Sequence, residues 1–213
     1  MTVWISWRIF EGMATSAAIG PRISGFARKV PTWPVYSGGI AVGAWEIWRG
    51  INAVDPVEAL ELSLGMLSLQ FLLASLVITP LMRFGRINLL KFRKALGLLA
   101  FGFLTLHFLV WLVLDLQLRW GLIGQEIVKR PYLTVGFAAF VLLIPLAATS
   151  WQGAVRRLGT QAWGRLHRLV YPAMILGGVH FVMQEKVWTT ESLIYLATAV
   201  VLVGLRLTWI RRW

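Results

Sequence analysis

The chain carries three histidines, His107, His167 and His180, and each sits in or at the edge of an apolar stretch. His167 and His180 lie thirteen residues apart in one such stretch, and His107 lies in another. At a helical rise of about 1.5 Å per residue, thirteen residues span roughly 20 Å, a large part of a hydrocarbon core about 30 Å thick. Imidazoles at two depths of a membrane bundle point to metal or haem ligation and to electron transfer across the membrane.

Depth divides the three unequally. The stretch holding His107 leaves its basic flank after Lys94, and the stretch holding His180 leaves its own after Arg168. Both histidines then sit roughly 18–20 Å from the cytoplasmic edge, on the outer side of the midplane. Two imidazoles at one depth on two helices can supply both axial ligands of a b-type haem. Gly97 and Gly102 precede His107, Gly177 and Gly178 flank His180, and such small residues let a flat macrocycle or a helix approach. Phe101, Phe103, Phe108 and Phe181 are candidates to pack around it. The competing reading for either histidine is a hydrogen bond across helices. His167 falls at the cytoplasmic edge among Arg165 and Arg168, where it can hold a second haem or stand as an interfacial residue. The facing level of the other helix offers Arg93 and Lys94 and no histidine, so a second haem is singly ligated or recruits another ligand. Arg93, Lys94, Arg165 and Arg168 can pair with haem propionates, or form only the cationic row that orients a membrane protein. Tyr171 and Met174 read as packing residues, and Glu46 as interfacial.

Helices must position these groups. Of the 213 residues 58% are apolar and only 14% charged, against about a quarter charged in soluble domains. The long unbroken apolar runs exclude the alternation of a β-barrel, so the expected fold is an all-α integral membrane bundle. Six spans are expected, at about 33–51, 57–81, 95–116, 131–149, 166–183 and 192–209. Sixteen of the 21 lysines and arginines fall in four blocks on one side of such a bundle. These are Arg8, Arg22, Arg28 and Lys29; Arg83, Arg86, Lys91, Arg93 and Lys94; Arg156, Arg157, Arg165 and Arg168; and Arg206, Arg211 and Arg212. That side, with both termini, is therefore cytoplasmic. The same distribution turns the net charge of +12 into a membrane signature rather than a nucleic-acid one. Twelve tryptophans suit aromatic belts at the interfaces. The absence of cysteine excludes disulfides, iron–sulfur clusters and thiolate-bound zinc or haem. No P-loop, dinucleotide-binding glycine motif, catalytic triad or HExxH occurs. No soluble nucleotide- or flavin-binding domain is attached, so electrons from NAD(P)H would need another protein. Residues 1–30 read as an N-terminal cytoplasmic or interfacial segment, and 31–213 as the haem domain.

Several stretches resemble one family. They are Asp55–Pro56–Val57, LLASLVITPL at 72–81, RKALGLLAFGFLTLHF at 93–108, KRPYLTVGF at 129–137, and LGTQAWGRLHRLVY at 158–171 followed by His180. Over roughly residues 50–210 the chain resembles the MsrQ (YedZ) family, haem-binding membrane subunits of a bacterial periplasmic methionine sulfoxide reductase system within the ferric-reductase-like transmembrane group. The resemblance implies an inner-membrane protein with one or two haems b and with FMN or a quinone as further candidates. Its donor would be quinol or a cytoplasmic flavin reductase, and its acceptor the periplasmic molybdopterin enzyme MsrP. The resemblance also implies that His107, His167 and His180 are haem ligands. The family often shows a His-x-Thr-Gly pattern early in the second span, where this chain reads Leu62–Ser63–Leu64–Gly65. The functional expectation is thus an electron-transfer subunit, with a stand-alone ferric or quinone reductase and a haem-free transporter or scaffold with a histidine proton relay as rivals.

Overall fold

The computed structural model describes residues 20–185 and 187–210. Among them there is no strand; the chain is helical, as its apolar runs require. Helix α1 covers residues 20–29, α2 Trp33–Ile51, α3 Pro56–Phe84, α4 Arg93–Val110, α5 Trp120–Lys129 and α6 Pro131–Ala148. They are followed by α7 Gln152–Leu158, α8 Thr160–Leu166, α9 Val170–Gln184 and α10 Thr190–Ile210.

The helix starts follow local chemistry. The Asp55 carboxylate accepts from the Glu58 N–H at 3.1 Å, and Pro56 occupies the first turn of α3, where its missing N–H costs nothing. Pro131 opens α6 in the same way. Five segments are long and apolar enough to cross a membrane: Pro56–Phe84, Leu90–Asp115, Pro131–Ala148, Thr160–Gln184 and Thr190–Thr208. The helix expected at 33–51 forms as α2 but is not among these five, because glycines, interfacial tryptophans, Glu46 and Arg49 dilute its hydropathy. Its direction is nonetheless clear. The Ser24 hydroxyl of α1 donates to Arg86 O at 3.1 Å and accepts from the Asn88 N–H at 2.9 Å. The Lys91 ammonium donates to Arg28 O at 3.0 Å. α1 and the α3–α4 connection therefore share one end of the molecule, and α2 and α3 form an antiparallel hairpin between its two ends. Of the expected N-terminal segment, residues 20–29 are this anchored helix; residues 1–19, with Arg8, lie outside the described residues, as do Arg211 and Arg212.

Two details depart from the expected spans. The stretch expected as one helix from 166 is broken: a 3-10 turn, His167–Leu169, separates α8 from α9. Pro172 explains the restart, since it has no N–H and its ring would clash with the carbonyl of Arg168 in a continuous helix. His167 thus sits on the turn and His180 on α9. The second departure is α5, which occupies a region expected to be loop and keeps none of its residues buried.

In lipid, helices gain little from apolar burial against each other, so close packing and cross-helix hydrogen bonds hold the bundle. The core joins Leu72 and Leu76 of α3, Ala100 of α4, Leu143 of α6, Met174 of α9 and Ala199 of α10. The buried Ser68 hydroxyl bridges α3 to α4 by donating to Ala100 O at 2.9 Å. The Gln70 amide donates to the Tyr195 hydroxyl at 2.9 Å, tying α3 to α10. α2 seats on α4 through buried Gly39 and Gly43, which face Leu99 and Phe103. Such glycines, four apart, bring helix backbones close.

Candidate functional site

His107 on α4 and His180 on α9 meet in the bundle interior. Their ring centres are 6.2 Å apart and their planes cross at 75°. The His107 Nδ1–H donates to Glu61 O of α3 at 2.8 Å, and the His180 Nδ1–H donates to Tyr132 O of α6 at 2.8 Å. A carbonyl can only accept, so both rings carry their proton on Nδ1 and present the Nε2 lone pair. No described residue hydrogen-bonds either Nε2. Because Nδ1 and Nε2 point to different sides of an imidazole, tying Nδ1 to α3 or α6 turns Nε2 away from that helix. Both rings line one apolar cavity with Leu69, Leu104, Phe108, Phe137 and Phe140.

This donor set fits an ion held between the rings. A metal–imidazole bond of about 2.0 Å, with roughly 1.1 Å from each nitrogen to its ring centre, places two opposed imidazoles about 6.2 Å apart centre to centre. The apolar, aromatic walls suit a flat macrocycle. Phe108 stacks on Phe140 at 4.9 Å and packs against Phe137 at 6.0 Å. Of the phenylalanines singled out by sequence, Phe108 and Phe181 line the cavity. Phe101 instead stacks on Phe140, and Phe103 packs between α2 and α3, against Phe71. Phe137, Phe140 and Trp111 were not signalled, because nothing in the sequence reveals which face of α6 turns inward.

The glycines that matter are also elsewhere. A Cβ at Gly97 or Gly102 would meet nothing within 4 Å, and one at Gly178 would meet Leu196 of α10. The glycines lying against the histidines are Gly65 of α3 and Gly136 of α6.

A more polar mouth opens from the pair, lined by Asp55, Glu58, Glu61, Asp115, Arg130 and Tyr132. One Glu61 carboxylate oxygen is buried without a hydrogen-bond partner. Arg130, just ahead of the α6 span, donates to the Tyr132 hydroxyl at 3.2 Å and pairs with Glu126 at 2.7 Å. The Tyr132 hydroxyl, and then Glu126 and Asp115, hold its guanidinium above the ordinary arginine value.

His167 stands apart. Its ring stacks on Trp163, centres 3.8 Å apart, and its Nδ1–H donates to Trp163 O at 3.1 Å. Its Nε2 is buried with no hydrogen-bond partner. The Trp163 indole in turn donates to Thr149 O at 2.9 Å, fixing this corner to the end of α6. The charge of Arg93, partly buried at the start of α4, acts on His167, whereas Arg165 and Arg168 are exposed. No second histidine faces this ring among the described residues, since the other two are paired with each other.

Five apolar helices with two histidines facing across their interior define a multi-pass helical membrane protein. The profile of the family described as ferric reductase like transmembrane component matches residues 61–178. The protein-methionine-sulfoxide reductase heme-binding subunit MsrQ of Agrobacterium fabrum is 43% identical over 178 residues, covering 82% of this chain and 82% of its own length. The MsrQ of Rhizobium meliloti is 44% identical over 177 residues, again 82% of each chain. That of Brucella anthropi is 38% identical over 186 residues, 86% of this chain and 84% of its own. The chain belongs to the MsrQ family of ferric-reductase-like transmembrane proteins. No solved structure matches it.

Proposed function

We propose that this chain is the haem-binding membrane subunit of a methionine sulfoxide reductase system, carrying electrons outward across the bacterial inner membrane. The observation that carries this reading is the pair His107 and His180, 6.2 Å apart, each with Nδ1 engaged and Nε2 unpartnered at one apolar cavity. Bound between them, haem b would supply a one-electron carrier whose potential depends on its axial ligands and surroundings. The chain's own work is to hold and orient. The two backbone carbonyls fix the imidazole tautomers, and the leucines and phenylalanines keep water from the site. On this reading electrons leave on the side of the mouth lined by Glu61, Asp115 and Arg130.

His167, with its unpartnered Nε2, is assigned to a second haem or to the cytoplasmic entry point, and Arg93, Arg165 and Arg168 to the carboxylates of such a group. The bundle crosses the membrane six times with both termini cytoplasmic; the antiparallel α2–α3 hairpin supports counting α2 as a crossing. The donor is quinol or a cytoplasmic flavin reductase, and the acceptor is the periplasmic molybdopterin subunit MsrP.

The test is a reconstituted chain. Protein in liposomes is reduced by a quinol or by a flavin reductase with NAD(P)H, and MsrP with methionine sulfoxide is then added. Reoxidation of the reduced haem bands, matched by methionine formation, is expected. Bands that stay reduced with MsrP but bleach on adding a ferric chelate or quinone would instead identify a stand-alone reductase.

A further inference from the structure

We propose that Gly65 and Gly136 are positioning residues, each a notch in a neighbouring helix that lets one of the paired histidines lay its ring against the backbone and donate its Nδ1 proton there. The inference rests on reading His107 and His180 as the axial pair.

The two halves of the site repeat one arrangement. His107 donates to the carbonyl of Glu61, four residues before Gly65; His180 donates to the carbonyl of Tyr132, four residues before Gly136. In an α-helix the carbonyl of residue i already accepts from the N–H of residue i+4, so each histidine uses the second lone pair of an occupied oxygen. Side chains at i and i+4 stand on one face and tilt toward the N-terminus, so a Cβ at i+4 covers the approach to that oxygen. Glycine uncovers it. A Cβ at Gly65 would lie 3.1 Å from His107 Nδ1 and 3.3 Å from its Cε1. A Cβ at Gly136 would lie 2.7 Å from His180 Nδ1, 2.9 Å from Cε1 and 3.1 Å from Cγ. Both notches occur on the helix that faces the histidine, on separate helix pairs, α3 with α4 and α6 with α9.

The consequence is electronic as well as steric. Donation from Nδ1 holds the ring in the tautomer that leaves Nε2 free, orients it, and makes it a more basic ligand. A more electron-rich imidazole favours the ferric state and lowers the midpoint potential. Together the notches set the 75° crossing of the two rings.

The experiment uses the full chain in the His167→Ala background, which leaves the outer site alone, and compares it with Gly136→Ala, Gly65→Ala and Gly204→Ala. Position 204 is exposed on α10, and a Cβ there meets nothing within 4 Å. The parent should give the strongly anisotropic low-spin ferric signal of near-perpendicular imidazoles in electron paramagnetic resonance. Gly136→Ala should weaken haem retention about 10–100-fold, as loss of a partner to a metal-bound histidine does. It should also raise the midpoint potential of the haem that remains and shift that signal. Gly65→Ala should do the same less strongly, and Gly204→Ala should change none of the three. A parent signal typical of parallel rings, or a haem-loaded Gly136→Ala and Gly65→Ala with unchanged signal and potential, overturns the inference alone. A parent protein with no haem spectrum overturns the function reading, and this inference with it. If Gly136→Ala does not fold, the Gly65→Ala comparison and the parent signal decide the question.

Discussion

His107 and His180 are expected to behave as one binding unit when they are removed singly and together. Their ring centres lie 6.2 Å apart, a separation that suits two imidazoles sharing one ion, so on the proposed reading both would hold the same haem. Disturbing only the outer partner of a metal-bound histidine weakens binding about 10–100-fold. Deleting the ligand itself should therefore cost at least about 100-fold, or roughly 2.7 kcal/mol. That is enough to empty the site during purification. His107→Ala and His180→Ala should each lose the same single haem, and the double variant should lose no more than either, because residues that share a partner are not additive. His167→Ala should reduce haem content independently if a second haem is present. The assay is haem per polypeptide by the pyridine haemochrome, with reduced-minus-oxidised spectra to identify which haem is missing. A double variant that loses one haem more than either single variant would show that the two histidines serve different groups, and the pairing argument would fail.

Other expectations concern the scaffold. Ser68→Ala removes the α3–α4 bond at Ala100 O and should destabilise the bundle by about 0.6 kcal/mol, the usual worth of such bonds in membranes, measured by steric trapping in bicelles. Gly43→Leu drives a side chain into the Phe103 ring and should lower stability by about 1–3 kcal/mol, with α2 becoming protease-accessible; an unchanged melting profile would contradict the α2–α4 packing. Trp163→Ala removes the stacked cover of His167 and the bond to Thr149 O. It should expose that imidazole to carbethoxylation by diethyl pyrocarbonate while leaving His107 and His180 protected.

The bundle was largely legible because its signals are local. Asp55–Pro56 and Pro131 mark helix starts, lysines and arginines mark one side, and apolar runs mark the spans between. Depth counting from Lys94 and Arg168 puts His107 and His180 at one level, and the structure brings their ring centres within 6.2 Å of each other. What escaped depends on facing surfaces or on backbone states without a residue signature. α4 ends in a π-helical turn, Trp111–Asp115, followed by positive φ at Gln117 and Leu118, with no glycine or proline to announce it. α5 contains Gly121 and Gly124 and is short, so its pattern reads as loop. The break at His167–Leu169 was foreshadowed only by Pro172. Gly97, Gly102, Gly177 and Gly178 neighbour the histidines in sequence, whereas the glycines against the rings, Gly65 and Gly136, belong to neighbouring helices. One sequence cannot tell a glycine that seats a ring from one that seats a helix.

The most direct test of the central claim is the absorption spectrum of the purified protein, expressed with ample haem. A Soret band with the sharp α and β bands of six-coordinate, bis-imidazole haem b on reduction is the expected result. A protein that folds and inserts without a Soret band, or that shows only a five-coordinate spectrum, would contradict the paired-histidine site.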